Sequence, residues 1–221
     1  MLDGYWLPEN LSAYGHEIDR LFYIILAITT TVVVVTESLL FWFLWNYRAR
    51  PGRRALYTHG STKVEIVWTA VPALILIVLA SYGQRVWSST RETPPADAFV
   101  VRVNARQFQW NMTYSGADGV FGTPDDFDSL GVMALPFGRP IIVEITSKDV
   151  IHSFFLPQFR VKQDAVPGIT TRVWFSPERT GDWEIACAEL CGIGHASMRG
   201  YLKIMPPDAF AAWSAETKGG S

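Results

Sequence analysis

Two long apolar runs near the start of the chain restrict what it can fold into. Leu21 to Trp45 is broken only by threonines, Glu37 and Ser38. At about 1.5 Å per helical residue it spans a bilayer core of roughly 30 Å. The second run, Ile66 to Tyr82, lies near the lower limit of roughly 17 residues for a span. It contains Pro72, a kink that membrane helices tolerate. The first run does not read as a cleavable signal peptide. It is too long, the leader Met1 to Arg20 is not positively charged at its start, and no small-residue cleavage site follows.

The connector sets the orientation. Asn46 to Lys63 carries Arg48, Arg50, Arg53, Arg54 and Lys63. Positive connectors stay in the cytoplasm, so both termini of this multi-pass chain are expected outside. Trp42, Trp45 and Tyr47 suit the inner interface and Trp87 the outer one. Everything after Trp87 then faces an oxidising compartment.

Beyond a Pro-rich linker the periodicity changes from helical to alternating. Phe99 to Asn104, Ile141 to Thr146, Thr170 to Phe175, Trp183 to Ala186 and Tyr201 to Met205 read as short strands. Ser115-Gly116, Pro136 to Gly138, Pro167-Gly168 and Thr180-Gly181 supply the turns between them. Such punctuation predicts a Greek-key β-sandwich or small barrel. The expected organisation is an outer segment over 1–20, a helical hairpin over 21–88, a β-domain over 98–206 and a tail over 207–221. Within that tail, Asp208 to Trp213 suits one short helix.

The chemistry is concentrated between Cys187 and Met198. This stretch holds the only two cysteines of the chain, together with His195. Thiolate, imidazole and thioether are ligands favoured by copper. A mononuclear blue-copper site needs two His, one Cys and a weak Met, and here one cysteine is left over. Two thiolates on one loop can bridge two metal ions, with the Glu189 carbonyl as a further ligand. Of four histidines, His16 and His59 lie outside the β-region, which leaves His152, in Val150 to Phe154, as the distant partner of His195. A disulfide between Cys187 and Cys191 is an alternative, as is a Cys₂His₂ zinc site, although Met198 has no role in zinc. Formal net charge is −2, which gives no electrostatic footprint for nucleic acid. No Cys-x-x-Cys-His is present, so no covalently attached haem is expected.

On these residues the chain resembles subunit II of the haem-copper cytochrome c oxidases. The family's CuA loop is matched by Cys187, Glu189, Cys191, His195 and Met198 at their spacing, and its upstream histidine motif by Asp149 to Phe154. Val161 to Gly168 and Val64 to Pro72 match two further family blocks. The resemblance runs from about Leu21 to Met205. It implies a membrane-anchored, all-β architecture: a two-helix hairpin followed by a cupredoxin-like sandwich. It also implies a binuclear copper centre that takes electrons from cytochrome c or another periplasmic donor and passes them to haem in subunit I, where oxygen is reduced and protons are pumped. Subunit III is an expected further partner. Intact ligands argue against a copper-free quinol oxidase anchor. The match at both spans argues against a lone membrane-tethered copper carrier.

The resemblance gives other residues expected roles. Glu189 would share a Mg²⁺ with subunit I, its alternative being a plain loop carboxylate. Glu65 would stand at the mouth of a proton pathway, where it would otherwise cap a helix N-terminus. The family marks no role for Glu37; as a carboxylate inside a span it is expected protonated or hydrogen-bonded and facing subunit I. Ala105 to Trp110 falls where the family carries an aromatic patch that receives electrons. Gln107 and Trp110 fit it, but Phe108 replaces the usual tryptophan and Gln109 a tyrosine. Phe108 or Trp110 is therefore the expected point of reception, unless these rings only pack the sandwich. The Asp-rich stretch 116–128 reads as a solvated loop, with Ca²⁺ binding or steering of a basic donor as alternatives.

Overall fold

The computed structural model describes residues 7–55 and 57–219. It divides into two compact units, Glu17–Ser89 and the residues up to His16 together with Thr90 onward. The first six residues of the expected outer segment lie outside the described range.

The helical unit is built from α1 (Gly15–Tyr47) and α2 (Thr62–Thr90). Both run past the apolar stretches that announce them, because polar residues at the ends add further turns. Each contains a window of mean hydropathy 2.2, no part of which is buried within the chain. Threonines are accommodated in α1 because their hydroxyls donate back to the preceding turn. Thr29, Thr31 and Thr36 bond to the carbonyls of Ile25, Ala27 and Val32 at 2.8, 2.7 and 2.8 Å, so these three hydroxyls ask nothing of the lipid. The basic connector finishes the helix. Arg53 donates to the Asn46 carbonyl at 2.5 Å, and Arg48 lies over the Trp45 ring at 4.3 Å. Near the opposite end the Tyr82 hydroxyl donates to the Glu17 carboxylate at 2.9 Å.

The other unit is a β-sandwich. Its strands are β1 (Phe99–Arg106), β2 (Gln109–Tyr114), β3 (Phe127–Leu130), β4 (Val132–Pro136), β5 (Ile141–Ser147), β6 (His152–Leu156), β7 (Val161–Ala165), β8 (Thr171–Phe175), β9 (Gly181–Cys187) and β10 (Arg199–Met205). One sheet has the order β3-β2-β1-β5-β8 and the other β4-β10-β9-β6-β7. Each contains one parallel pair, β1 with β5 and β4 with β10. Alternate residues of both sheets share one core: Val101, Val103, Trp110, Met112 and Ile145 from the first, and Met133, Phe154, Leu156, Ile185 and Leu202 from the second. At about 1.5–3 kcal/mol for each large apolar side chain buried, this face-to-face burial is the main force holding the unit together. Tyr114 stitches the sheets: its buried hydroxyl accepts from the Ala134 N–H at 2.9 Å.

Two flanking segments complete the core. α3 (Pro207–Gly219) extends beyond the short helix expected at Asp208 to Trp213. Its Phe210 and Trp213 pack edge-on against Phe99 and Tyr114, with centroids 5.3 and 5.4 Å apart. Ahead of α1, residues 8–14 form a strap along the sandwich. Leu11 enters the core at 3% exposure, its N–H donates to Gln158, and its carbonyl accepts from Glu178.

On the outer face of the first sheet, Glu144 of β5 stands between Arg102 of β1 and Arg172 of β8, one register position on each side. Both guanidiniums donate to it from Nε at 2.9 Å. Burial pushes this carboxyl up, but the two arginines outweigh it and hold it below its ordinary value.

Candidate metal centre

The metal-ligating residues gather where β6 and β9 run side by side. Phe154 pairs with Cys187 across this ladder, so His152, two residues earlier in β6, is placed beside the end of β9. Residues 188–198 then loop over to β10, the antiparallel neighbour of β9. The loop is tied down at both ends. Ala188 N–H donates to Ser153 at 3.0 Å, and Met198 N–H closes a short 3₁₀ turn onto His195 at 3.1 Å.

His152, Cys187 and Cys191 present ligand atoms that all lie within 4.8 Å of one another, the one such cluster among the described residues. The two sulfurs are 3.9 Å apart and both thiols are free. His195 Nδ1 and Met198 Sδ each lie 3.7 Å from Cys191 Sγ. The Glu189 carbonyl oxygen is 3.3 Å from Cys187 Sγ. All six residues singled out from the sequence therefore converge. Burial pushes the Cys191 thiol up to about 11, and the neighbouring Cys187 adds to the effect.

One observation tests whether this group fits a metal. His152 is completely buried. Its Nε2 lies 2.8 Å from a carboxylate oxygen of Asp149, and its Nδ1 has no hydrogen-bond partner. A buried imidazole nitrogen without a partner is costly. With Nε2 holding the proton toward Asp149, the Nδ1 lone pair is free for a cation, the usual arrangement behind a metal-bound histidine. Burial works against the Asp149 carboxylate, but the N–H of Gln107, the His152 ring and the N–H of Val150 outweigh it and hold its pKa down at about 2.

The tip between β1 and β2 covers the loop. Gln107 donates from its backbone to Asp149 and from its side chain to the Cys191 carbonyl, each at 2.6 Å. The Phe108 ring lies so close over Gly194 that a Cβ there would come within 2.5 Å of it. Trp110 is fully buried beneath His152. Asp149 and Gln107 are functional neighbours that the sequence placed in family motifs, the histidine motif and the aromatic patch, without giving either a role at the metal.

Other candidate residues lie apart from this cluster. Glu65 sits in the first turn of α2 and Glu37 is exposed along α1. In the Asp-rich loop, the Asp118 and Asp126 carboxylates accept from the loop's own Val120 and Gly122 N–H groups at 2.9 and 2.7 Å, which gives them a part in shaping the loop.

Comparison with known proteins agrees with this layout. Residues 99–204 match the family described as "Cytochrome C oxidase subunit II, periplasmic domain", and residues 3–86 match its transmembrane domain. Cytochrome c oxidase subunit 2 of Cereibacter sphaeroides is 32% identical over 99% of this chain and 82% of the relative. The chain belongs to the cytochrome c oxidase subunit II family. The alternative subunit 2 of Bradyrhizobium diazoefficiens is 30% identical over 99% of this chain and 86% of its own length. Among solved structures, the periplasmic domain of subunit II from Bradyrhizobium japonicum superposes with a TM-score of 0.51 at 29% identity, covering 58% of this chain and 99% of that one. Membership makes this chain a subunit of a haem-copper oxidoreductase, implies copper in the β unit and implies a subunit I partner. The membrane-anchored, cupredoxin-like architecture expected from the sequence is the one found.

Proposed function

We propose that the β unit holds a binuclear copper centre which receives electrons from a periplasmic donor such as cytochrome c and delivers them to haem in subunit I. The observation that carries this reading is a buried histidine, His152, with an unpartnered Nδ1, clustered with two free thiols. Cys187, Cys191, His152 and His195 would hold the copper, with Met198 and the Glu189 carbonyl completing the set. A thioether 3.7 Å from Cys191 favours copper over zinc. When bound, the copper pair accepts and releases one electron at a time.

The chain's own part is to hold these ligands still. His152 and Cys187 are fixed by the β6–β9 ladder, and Cys191 and Met198 are buried in the core at 4% and 1% exposure. A rigid cage changes little on electron uptake, which keeps the barrier to transfer low. Phe108, half-buried on the loop over Gly194, is better placed than buried Trp110 to meet a donor. Glu189, with its exposed side chain, would share Mg²⁺ with subunit I, and Glu65 would open a proton pathway into that subunit. Glu37 would face subunit I, and subunit III would complete the complex.

Metal analysis of the purified oxidase tests the reading. Two coppers on this chain and a seven-line EPR signal are expected, and Cys191→Ser should abolish the mixed-valence spectrum. A wild-type chain without copper, or a serine variant with an unaltered spectrum, refutes it. Glu65→Ala should slow proton-coupled turnover while leaving the copper spectrum unchanged.

A further inference from the structure

One residue outside the ligand set touches both halves of the centre. Gln107 stands at the tip between β1 and β2, remote in sequence from both ligand-bearing segments. Its backbone N–H donates to the Asp149 carboxylate at 2.6 Å, and Asp149 holds His152 Nε2 at 2.8 Å. Its side-chain amide donates to the carbonyl of Cys191 at 2.6 Å. Hydrogen bonds therefore run without a break from the histidine strand, through Asp149 and Gln107, to the cysteine loop. The loop is shaped to admit the amide. Gly192 has a φ of +134°, and a Cβ there would lie 2.7 Å from Gln107 Nε2.

We propose that Gln107 is a positioning residue of the copper centre, bonding at once to the carboxylate that orients His152 and to the peptide carbonyl of Cys191. This deepens the binuclear reading and rests on it. Two consequences follow from the geometry. The first is mechanical: the bonds add a direct tie between the His152 strand and the Cys191 segment, beyond the β6–β9 ladder and the burial of Cys191. The second is electrostatic. An N–H dipole aimed at the Cys191 carbonyl offsets the negative end of that peptide dipole beside the metals. Without it, the more positive, oxidised state is favoured and the potential falls.

The test uses the assembled oxidase with Gln107→Met and Gln107→Glu. Methionine keeps the length and apolar stem but cannot donate. Glutamate keeps the shape but sets a negative acceptor against the carbonyl. Loss of an outer partner typically weakens metal binding about 10–100-fold. Copper affinity is therefore expected to fall about tenfold in the methionine variant and further in the glutamate variant. The reduction potential should fall in the same order, with altered copper hyperfine splitting in both. Wild-type affinity and potential in both variants would overturn the proposal. Equal weakening in both with an unchanged potential would also overturn it, because that pattern belongs to packing alone. If the unsubstituted oxidase carries no copper on this chain, the binuclear reading itself fails.

Discussion

The indole of Trp110 stands edge-on to the imidazole of His152, with ring centroids 6.2 Å apart and planes at 63°. Trp110 also meets Phe154 edge-on at 5.7 Å, so the first histidine of the site rests on the aromatic core. Trp110→Ala should cost about 3–5 kcal/mol of stability and loosen the His152 ring. Its indole nitrogen is buried without a partner, so Trp110→Phe removes volume but no hydrogen bond and should cost less than half as much. Denaturant unfolding of the metal-free protein measures both, and equal losses would contradict this account.

Asp149 orients His152 through the 2.8 Å contact to Nε2. Asp149→Ala should lower copper affinity about 10–100-fold and also destabilise the copper-free fold by about 1–3 kcal/mol, because it leaves the buried Nε2 of His152 without its partner. Asp149→Asn keeps an oxygen that can accept from the ring and should fall between the two. Chelator competition against the three proteins gives the ranking.

Gly194 has no room for a side chain beneath Phe108, where a Cβ would approach the ring to 2.5 Å. Gly194→Ala should destabilise the loop by about 1–3 kcal/mol through overpacking. Adding Phe108→Ala should restore much of that loss. A double-mutant cycle on thermal stability reads the coupling, and additive losses would mean that the ring does not bear on the loop.

The Arg102–Glu144–Arg172 triad gives the β unit an acid-sensitive component. The Glu144 carboxyl titrates lower in the folded state than its ordinary value. Its contribution is therefore complete above an unfolded pKa of about 4.3 and fades as pH drops through the lower folded value. The arginines remain largely solvated, at 46% and 72% side-chain exposure, so the effect should be on the order of 1 kcal/mol. Glu144→Gln should be less stable than wild type at neutral pH, with the gap closing as pH falls below the ordinary carboxylate value. A gap that stays constant over that range would exclude this linkage.

The sequence revealed what was encoded locally. The proposed copper ligands stand within one short loop plus one histidine, and their chemistry is unusual enough to be noticed in isolation. The two spans announce themselves because lipid tolerates little polar interruption. Strands β2 to β4 were harder to read. Phe127–Leu130 is only four residues long, and its alternation acquires meaning only when paired with Asn111 to Tyr114. Gln107 was visible only as a match to the aromatic patch, and its bonding role stayed hidden because its two partners lie 42 and 84 residues further along. Nor did the leader suggest that Leu11 belongs to the same core as Leu202.

That strap has a topological consequence. Residues 8–14 are bonded to chain made after both helices, so the membrane-embedded stretch is an insertion within the sandwich, leaving and rejoining one folded body. The leader can therefore dock only once its acceptor strands have been synthesised and have reached its own side of the bilayer. A fragment that starts at Thr90 would lack the aliphatic plug that Leu11 supplies.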